Sequence, residues 1–130
     1  MENETFNPVG WFEIYVNNMQ RATSFYETIL QTKLEELPTP SEDTTYQMYS
    51  FPSNMTSYGS GGTLVKMEGF NAGGNSTIIY FVSEDCSIEE ARIVDAGGKI
   101  FKPKMSIGEY GFIVLATDTE GNMFGIHSLK

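Results

Sequence analysis

Trp11-Phe12-Glu13-Ile14-Tyr15-Val16-Asn17-Asn18-Met19-Gln20-Arg21-Ala22-Thr23-Ser24-Phe25-Tyr26-Glu27 is the stretch on which the fold turns. Its first six residues alternate: Phe12, Ile14 and Val16 make one apolar face, and Trp11, Glu13 and Tyr15 make the other. Period two with aromatic and β-branched residues predicts a strand. The period then changes. Asn17 or Asn18 can accept from free backbone N–H groups as an N-cap, and Met19, Ala22, Phe25, Tyr26, Ile29 and Leu30 recur at the three-and-four spacing of a helix. Residues 18–30 are therefore expected to form a helix packed on the sheet.

Moving outward, residues 32–37 read as a second strand ended by Pro38 and Pro40, and 46–51 as a third, with Tyr, Met and Ser alternating. A polar, glycine-rich link over 52–62 precedes strand character at 63–67, and another loop runs through Gly73-Gly74. Gly59-Ser60-Gly61-Gly62 lacks the Gly-Lys-Ser/Thr ending of a phosphate loop and reads as a flap or a plain solvent loop. The second half opens with an apolar run at 77–82. Ser87-Ile88-Glu89-Glu90 has the form of a capping box, predicting a helix over about 88–96 that ends at Gly97-Gly98. Strands beginning at Lys99, at 111–116 and at 122–127 close the chain, the last two joined by a turn at Asp118-Thr119-Glu120-Gly121-Asn122.

An offset of 66 residues places Trp11 on Thr77, Val16 on Val82 and Leu34 on Ile100, superposing strand on strand and helix on helix. The order strand, helix, three strands thus occurs twice. One βαβββ unit is too small to bury its apolar face, whereas two can share a core. This predicts an α+β chain in which 1–130 form a single domain of two modules, about 8–68 and 75–130.

The 130 residues include 17 acidic and 8 basic side chains, for a net charge of -9. With so few and so scattered Lys and Arg, the chain lacks the basic footprint that nucleic acid or an anionic membrane requires. The acidic start Met1-Glu2-Asn3-Glu4 and the absence of a long apolar run point to no membrane span and to a cytoplasmic address. Cys86 is the only cysteine, which excludes an internal disulfide and a cysteine-rich metal cluster. It sits just before the capping Ser87, where a helix N-terminus could lower a thiol pKa, but with no His or basic neighbour in sequence a nucleophilic role is not expected.

The strand followed by Arg21-Ala22-x-x-Phe25-Tyr26, together with Asp118-Thr119-Glu120-Gly121-Asn122 before the last strand, resembles the vicinal oxygen chelate superfamily of glyoxalase I, bleomycin-resistance proteins and extradiol dioxygenases. The resemblance covers essentially the whole chain. It implies a cupped mixed sheet built from paired βαβββ modules, a homodimer, and a small-molecule ligand held in the concavity. It also implies a divalent metal held by His and Glu on the strands, and there this sequence departs: the histidine positions are Trp11 and Thr77, the last-strand glutamate position is Gly125, and the fourth ligand would fall near Thr63 or Val65. An indole, a hydroxyl and a bare glycine do not make a site for a first-row divalent ion, so neither a conventional metal centre nor another cofactor is expected.

Strand alternation then assigns Trp11, Glu13, Tyr15, Thr77, Ile79, Phe81, Met123, Gly125 and His127 to the cup, with Gly125 leaving room for a ligand. Glu13, buried among aromatics, is the candidate general base, and His127, the sole histidine, the candidate acid-base or orienting group. Each also has a plain reading, Glu13 as a solvated or paired strand residue and His127 as an ordinary strand residue. Two functions follow: a glyoxalase-like lyase or isomerase related to lactoylglutathione lyase and lacking the conventional metal, or a non-catalytic drug-binding protein resembling the bleomycin-resistance branch.

Overall fold

The computed structural model describes residues 7–38, 45–54, 56–74 and 76–130; Pro40 and the acidic Met1-Glu2-Asn3-Glu4 lie outside them. The element order is β1 (Trp11–Tyr15), α1 (Met19–Leu30), β2 (Glu35–Leu37), β3 (Tyr46–Ser50), β4 (Gly61–Met67), β5 (Ile79–Val82), α2 (Cys86–Ile93), β6 (Lys99–Ser106), β7 (Phe112–Thr117) and β8 (Met123–Ser128), with a 3-10 turn at Gly108–Tyr110. The strands form two four-stranded sheets: sheet A in the order β1-β4-β3-β2 and sheet B in the order β5-β8-β7-β6. In each, the strand before the helix runs parallel to the last strand of its unit, and the remaining pairs are antiparallel. The chain is α+β and repeats the βαβββ unit.

α1 begins where the polar pair predicts, with Asn18 as N-cap accepting from the Arg21 N–H. α2 begins earlier than the Ser87 capping box suggests. Asp85 is its N-cap, accepting from the backbone and hydroxyl of Ser87 and from the Lys104 ammonium. A carboxylate with three donors on one oxygen caps better than a serine hydroxyl, and the helix accordingly starts at Cys86. β6 is longer than predicted. It tolerates Pro103 because it is an edge strand whose ladder shifts register between Lys102 and Met105. Gly61 and Gly62, read from sequence as loop, belong to β4 and pair with Trp11 and Phe12.

One core serves both sheets. Ile14, Met19, Phe25, Tyr26, Leu64, Ile93, Val114, Phe124 and Ile126 belong to it, so both helices and strands of both units contribute. At its centre is an aromatic cluster in which Phe81 contacts Phe12, Tyr26, Phe51 and Phe124 at ring-centroid separations of 5.7 to 6.2 Å. This corrects the assignment of Phe81 to the ligand-facing side. Phe81 and Ile79 pack on the core, while Tyr80 and Val82 are exposed. The two helix caps, Asn18 and Asp85, are 67 residues apart and not 66; sliding a strand by one residue exchanges its two faces.

The predicted turn at 118–122 fastens the two units together. Glu120, its side chain fully buried, accepts from the backbone N–H groups of Asn17 and Asn18 and takes a two-pronged pair from Arg21 at 2.6 and 2.9 Å. Asp118 accepts from the Tyr26 hydroxyl at 2.6 Å and from the backbone of Glu120 and Asn122. Asn122 donates to the Tyr15 carbonyl at 2.9 Å. The two motifs that carry the family resemblance, one at each end of the chain, thus meet as a single hydrogen-bonded joint.

Candidate functional site

Two cavities gather the candidate residues. The first is a pocket of about 220 Å³ at the seam between the units, where the end of β1 meets the start of β5 and of β8. Glu13, Tyr15, Thr77, Ile79 and Met123 all line it, beside the loop Asn71–Gly73. The Tyr15 hydroxyl donates to Glu13 Oε1 at 2.9 Å. Partial burial and the neighbouring carboxylate together hold the Tyr15 phenol above its ordinary value. The phenol is thus a protonated donor, stacked on Phe70 with ring centroids 5.5 Å apart. Glu13 remains solvent-exposed, so a buried, aromatic-encased carboxylate is not what the structure presents.

The second cavity is a groove of about 980 Å³ over the outward face of sheet B, lined by Tyr80 and Val82 of β5, Ile113 of β7 and His127 of β8, with Val9 and Tyr58 along its rim. His127 Nε2 lies 2.7 Å from the Tyr110 carbonyl. His127 and Glu13 therefore line different cavities, and the structure does not bring this pair to one centre. Trp11 lines neither and stands 48% exposed on the outward face of sheet A. Gly125 is not open space: a Cβ there would collide with the ring of Tyr80, which lies across it from the paired position on β5.

Sequence reasoning missed Tyr80, and it reached Thr63 only as one of two positions, with Val65, near which the implied fourth ligand would fall. Thr63 pairs with Glu13 across β1 and β4, is fully buried, and its hydroxyl has no hydrogen-bond partner among the described residues. The signal for Tyr80 was available in the cap spacing, but the unbroken apolar run at 78–82 concealed which of its residues face out.

No protein-family model and no curated protein matches the chain. Solved structures do. A glyoxylase/bleomycin resistance protein/dioxygenase domain from Frankia is similar over 97% of this chain and 100% of its own, with a TM-score of 0.68 and 16% identity. The chain carries the glyoxalase/bleomycin resistance/dioxygenase fold. A protein of that description from Albidiferax ferrireducens gives a TM-score of 0.62 at 19% identity, covering 94% and 98% of the two chains. Glyoxalase I from Zea mays gives 0.71 at 20% identity, with 91% of this chain covered; the chain spans 43% of the length of that enzyme.

The family resemblance implies a divalent metal held from the positions of Trp11, Thr77 and Gly125 and from near Thr63 or Val65, a set without the imidazoles and carboxylates such an ion prefers. Trp11 offers an indole, Thr63 an uncharged hydroxyl, and Gly125 no side chain beneath the Tyr80 ring. Among the described residues no three His, Cys, Asp or Glu side chains come together in a metal-binding group. No described helix is long and apolar enough to cross a membrane.

Proposed function

We propose that this chain is a vicinal oxygen chelate protein that binds a small molecule in the seam pocket without the superfamily's conventional divalent centre. The observation that carries this reading is the Tyr80 ring lying over Gly125, where a coordinating carboxylate would have to project. What remains at the seam is the Glu13–Tyr15 pair beside Thr77 and Met123, one negative charge and one phenolic donor in a largely apolar setting.

That lining supports sequestration of a compact cationic or amphipathic guest, in the manner of the bleomycin-resistance proteins, by a cytoplasmic homodimer. The net charge of -9 favours the approach of cations over anions such as glutathione conjugates. The catalytic reading, a lyase or isomerase with Glu13 as base, is the alternative. The exposed Glu13 and its separation from His127 weigh against it, because a general base near neutral pH needs burial or a like charge beside it.

The test is a thermal-shift screen over divalent metals, dicarbonyls, thiol conjugates and cationic aromatic drugs, since a ligand that binds only the folded state raises Tm. Sequestration requires a hit whose affinity tightens at low ionic strength, weakens with Glu13→Gln and shows no turnover. Turnover lost in Glu13→Gln at unchanged salt response supports the enzyme instead. A stoichiometric divalent ion in the purified protein refutes the metal-free reading.

A further inference from the structure

Between α1 and the strands β3 and β4, on the helix side of sheet A, lies a third groove of about 670 Å³. It shares no lining residue with the seam pocket or with the groove over sheet B. Its wall on α1 is polar: Gln20, Thr23, Ser24 and Glu27 follow the three-and-four spacing of one helix face. Gln47 and Lys66, paired across β3 and β4, face them.

Lys66 and Glu27 are the charged residues among those described around this groove, and they stand at opposite ends of it. Lys66 follows Val65, whose carbonyl accepts from the Val16 N–H where the chain leaves β1 for α1. Its ammonium forms no ion pair with a described residue. Glu27 accepts from the Leu34 N–H at 2.9 Å, and Glu35, the next residue, pairs with Ser50 at the far end of β3. Its side chain keeps 23% exposure, with Lys33 no nearer than 4.0 Å. From Gln20 to Glu27 the helix rises about 10 Å, and from Gln47 to Ser50 the strand advances about the same. The groove therefore has a positive end and a negative end about 10 Å apart, the span of about three extended residues.

Between the two ends is a hydroxyl without a use in the fold. The Thr23 Oγ1 is buried and has no hydrogen-bond partner among the described residues, although a helical threonine ordinarily bonds the carbonyl one turn back. No bond holds that rotamer, and threonine has two in a helix, so a ligand amide can draw the hydroxyl into the groove and relieve the cost of leaving it unpaired.

We propose that this groove is a second ligand site, for a short peptide of about three residues with both termini free. Lys66 receives the carboxylate, Glu27 the ammonium, and Thr23 with the Gln20 and Gln47 amides the peptide groups between. The test is an NMR titration of the ¹⁵N-labelled protein with triglycine, N-acetyltriglycine and triglycinamide. Triglycine is expected to shift the amides of Gln20, Thr23 and Gln47 and to bind about threefold tighter than triglycinamide, the worth of one exposed ion pair. Triglycinamide is cationic and is the probe that a net charge of -9 favours, so this order cannot come from the long-range field. N-acetyltriglycine is expected to bind more weakly than triglycine.

Lys66→Gln, at an exposed position, is expected to bring triglycine and triglycinamide to equal affinity. Thr23→Val keeps both charges and is expected to weaken triglycine about fivefold without lowering Tm, because the hydroxyl bonds nothing in the free protein; it keeps the test decisive should the first variant unfold. Triglycinamide binding as tightly as triglycine, a preference that survives Lys66→Gln, or a Thr23→Val protein that binds triglycine like the parent overturns the assignment. So does the absence of shifts at Gln20, Thr23 and Gln47. Shifts at Glu13 and Tyr15 report the seam pocket separately, so failure here leaves that reading standing.

Discussion

Glu120 sits in a turn between two strands, yet its carboxylate fastens that turn to the first helix. Burial raises its pKa, but the Arg21 guanidinium, the Asn18 and Asn17 N–H groups and the Thr119 hydroxyl more than offset this, leaving it at about 2 against an ordinary 4.5. A carboxylate with a depressed pKa contributes stability in full above its unfolded value and loses it as pH falls through the folded one. Acid unfolding is therefore expected to draw on Glu120 between about pH 4.5 and 2. Glu120→Gln is expected to lower stability by roughly 2–3 kcal/mol at pH 7, less than a fully buried pair costs because Arg21 is half exposed, and to flatten that acid limb. Urea titrations of both proteins at pH 7 and pH 3 measure it; an equal loss at both pH values contradicts the account. Tyr26→Phe leaves the buried Asp118 without its hydroxyl donor and is expected to cost about 1–3 kcal/mol by the same measurement. Residue types alone identified this turn; that its carboxylates reach α1 depends on contacts about 100 positions apart, which no local pattern contains.

At the scale of the element, β5 shows where sequence reading stops. β1 alternates apolar and polar residues and reveals its faces, whereas Ile78-Ile79-Tyr80-Phe81-Val82 is apolar throughout and has no period to read. Matching Val16 to Val82 by type inverted the strand; matching Asn18 to Asp85 by capping role would have set it right. The capping box at Ser87 obscured that match, since it offered a plausible helix start two residues too late. Neighbouring substitutions in β5 test the observed register. Phe81→Ala is expected to cost about 3–5 kcal/mol, as its ring lies among four others, and Val82→Ala less than about 0.5 kcal/mol, as it is 67% exposed. Reversal of that order in denaturant unfolding would restore the 66-residue offset. Asp85→Ala removes both the α2 cap and the Lys104 pair and is expected to destabilise the protein more than Ser87→Ala, with circular dichroism following the helix loss.

The architecture of the whole molecule was legible because it rests on order and period, which the chain displays twice. The site was legible only in part. Glu13, Tyr15, Thr77, Ile79 and Met123 do meet at the seam, since four of them lie on or beside strand ends that the repeat brings together. His127 was assigned to the same cup because both faces were treated as one concavity; the structure gives sheet B a groove of its own. The net charge of -9 set nucleic acid and anionic membranes aside without locating the charge, and none of the described residues around the larger cavity is an Asp, Glu, Lys or Arg. Charge summed over a chain describes its solubility and its long-range field, while a ligand meets only the few side chains that line its site. Because the core draws residues from both units, neither is expected to melt alone. Trp11 fluorescence reports on the first unit and reactivity of the buried Cys86 thiol on the second, so the two unfolding curves are expected to coincide. Separate midpoints would show that the units unfold independently.

Cys86 also gives the molecule an internal clock. It is the only thiol, it is wholly enclosed, and its own N–H is tied to Ser128 in the last strand. A thiol reagent in excess can reach it only when α2 parts from β8, so the modification rate counts those openings one by one.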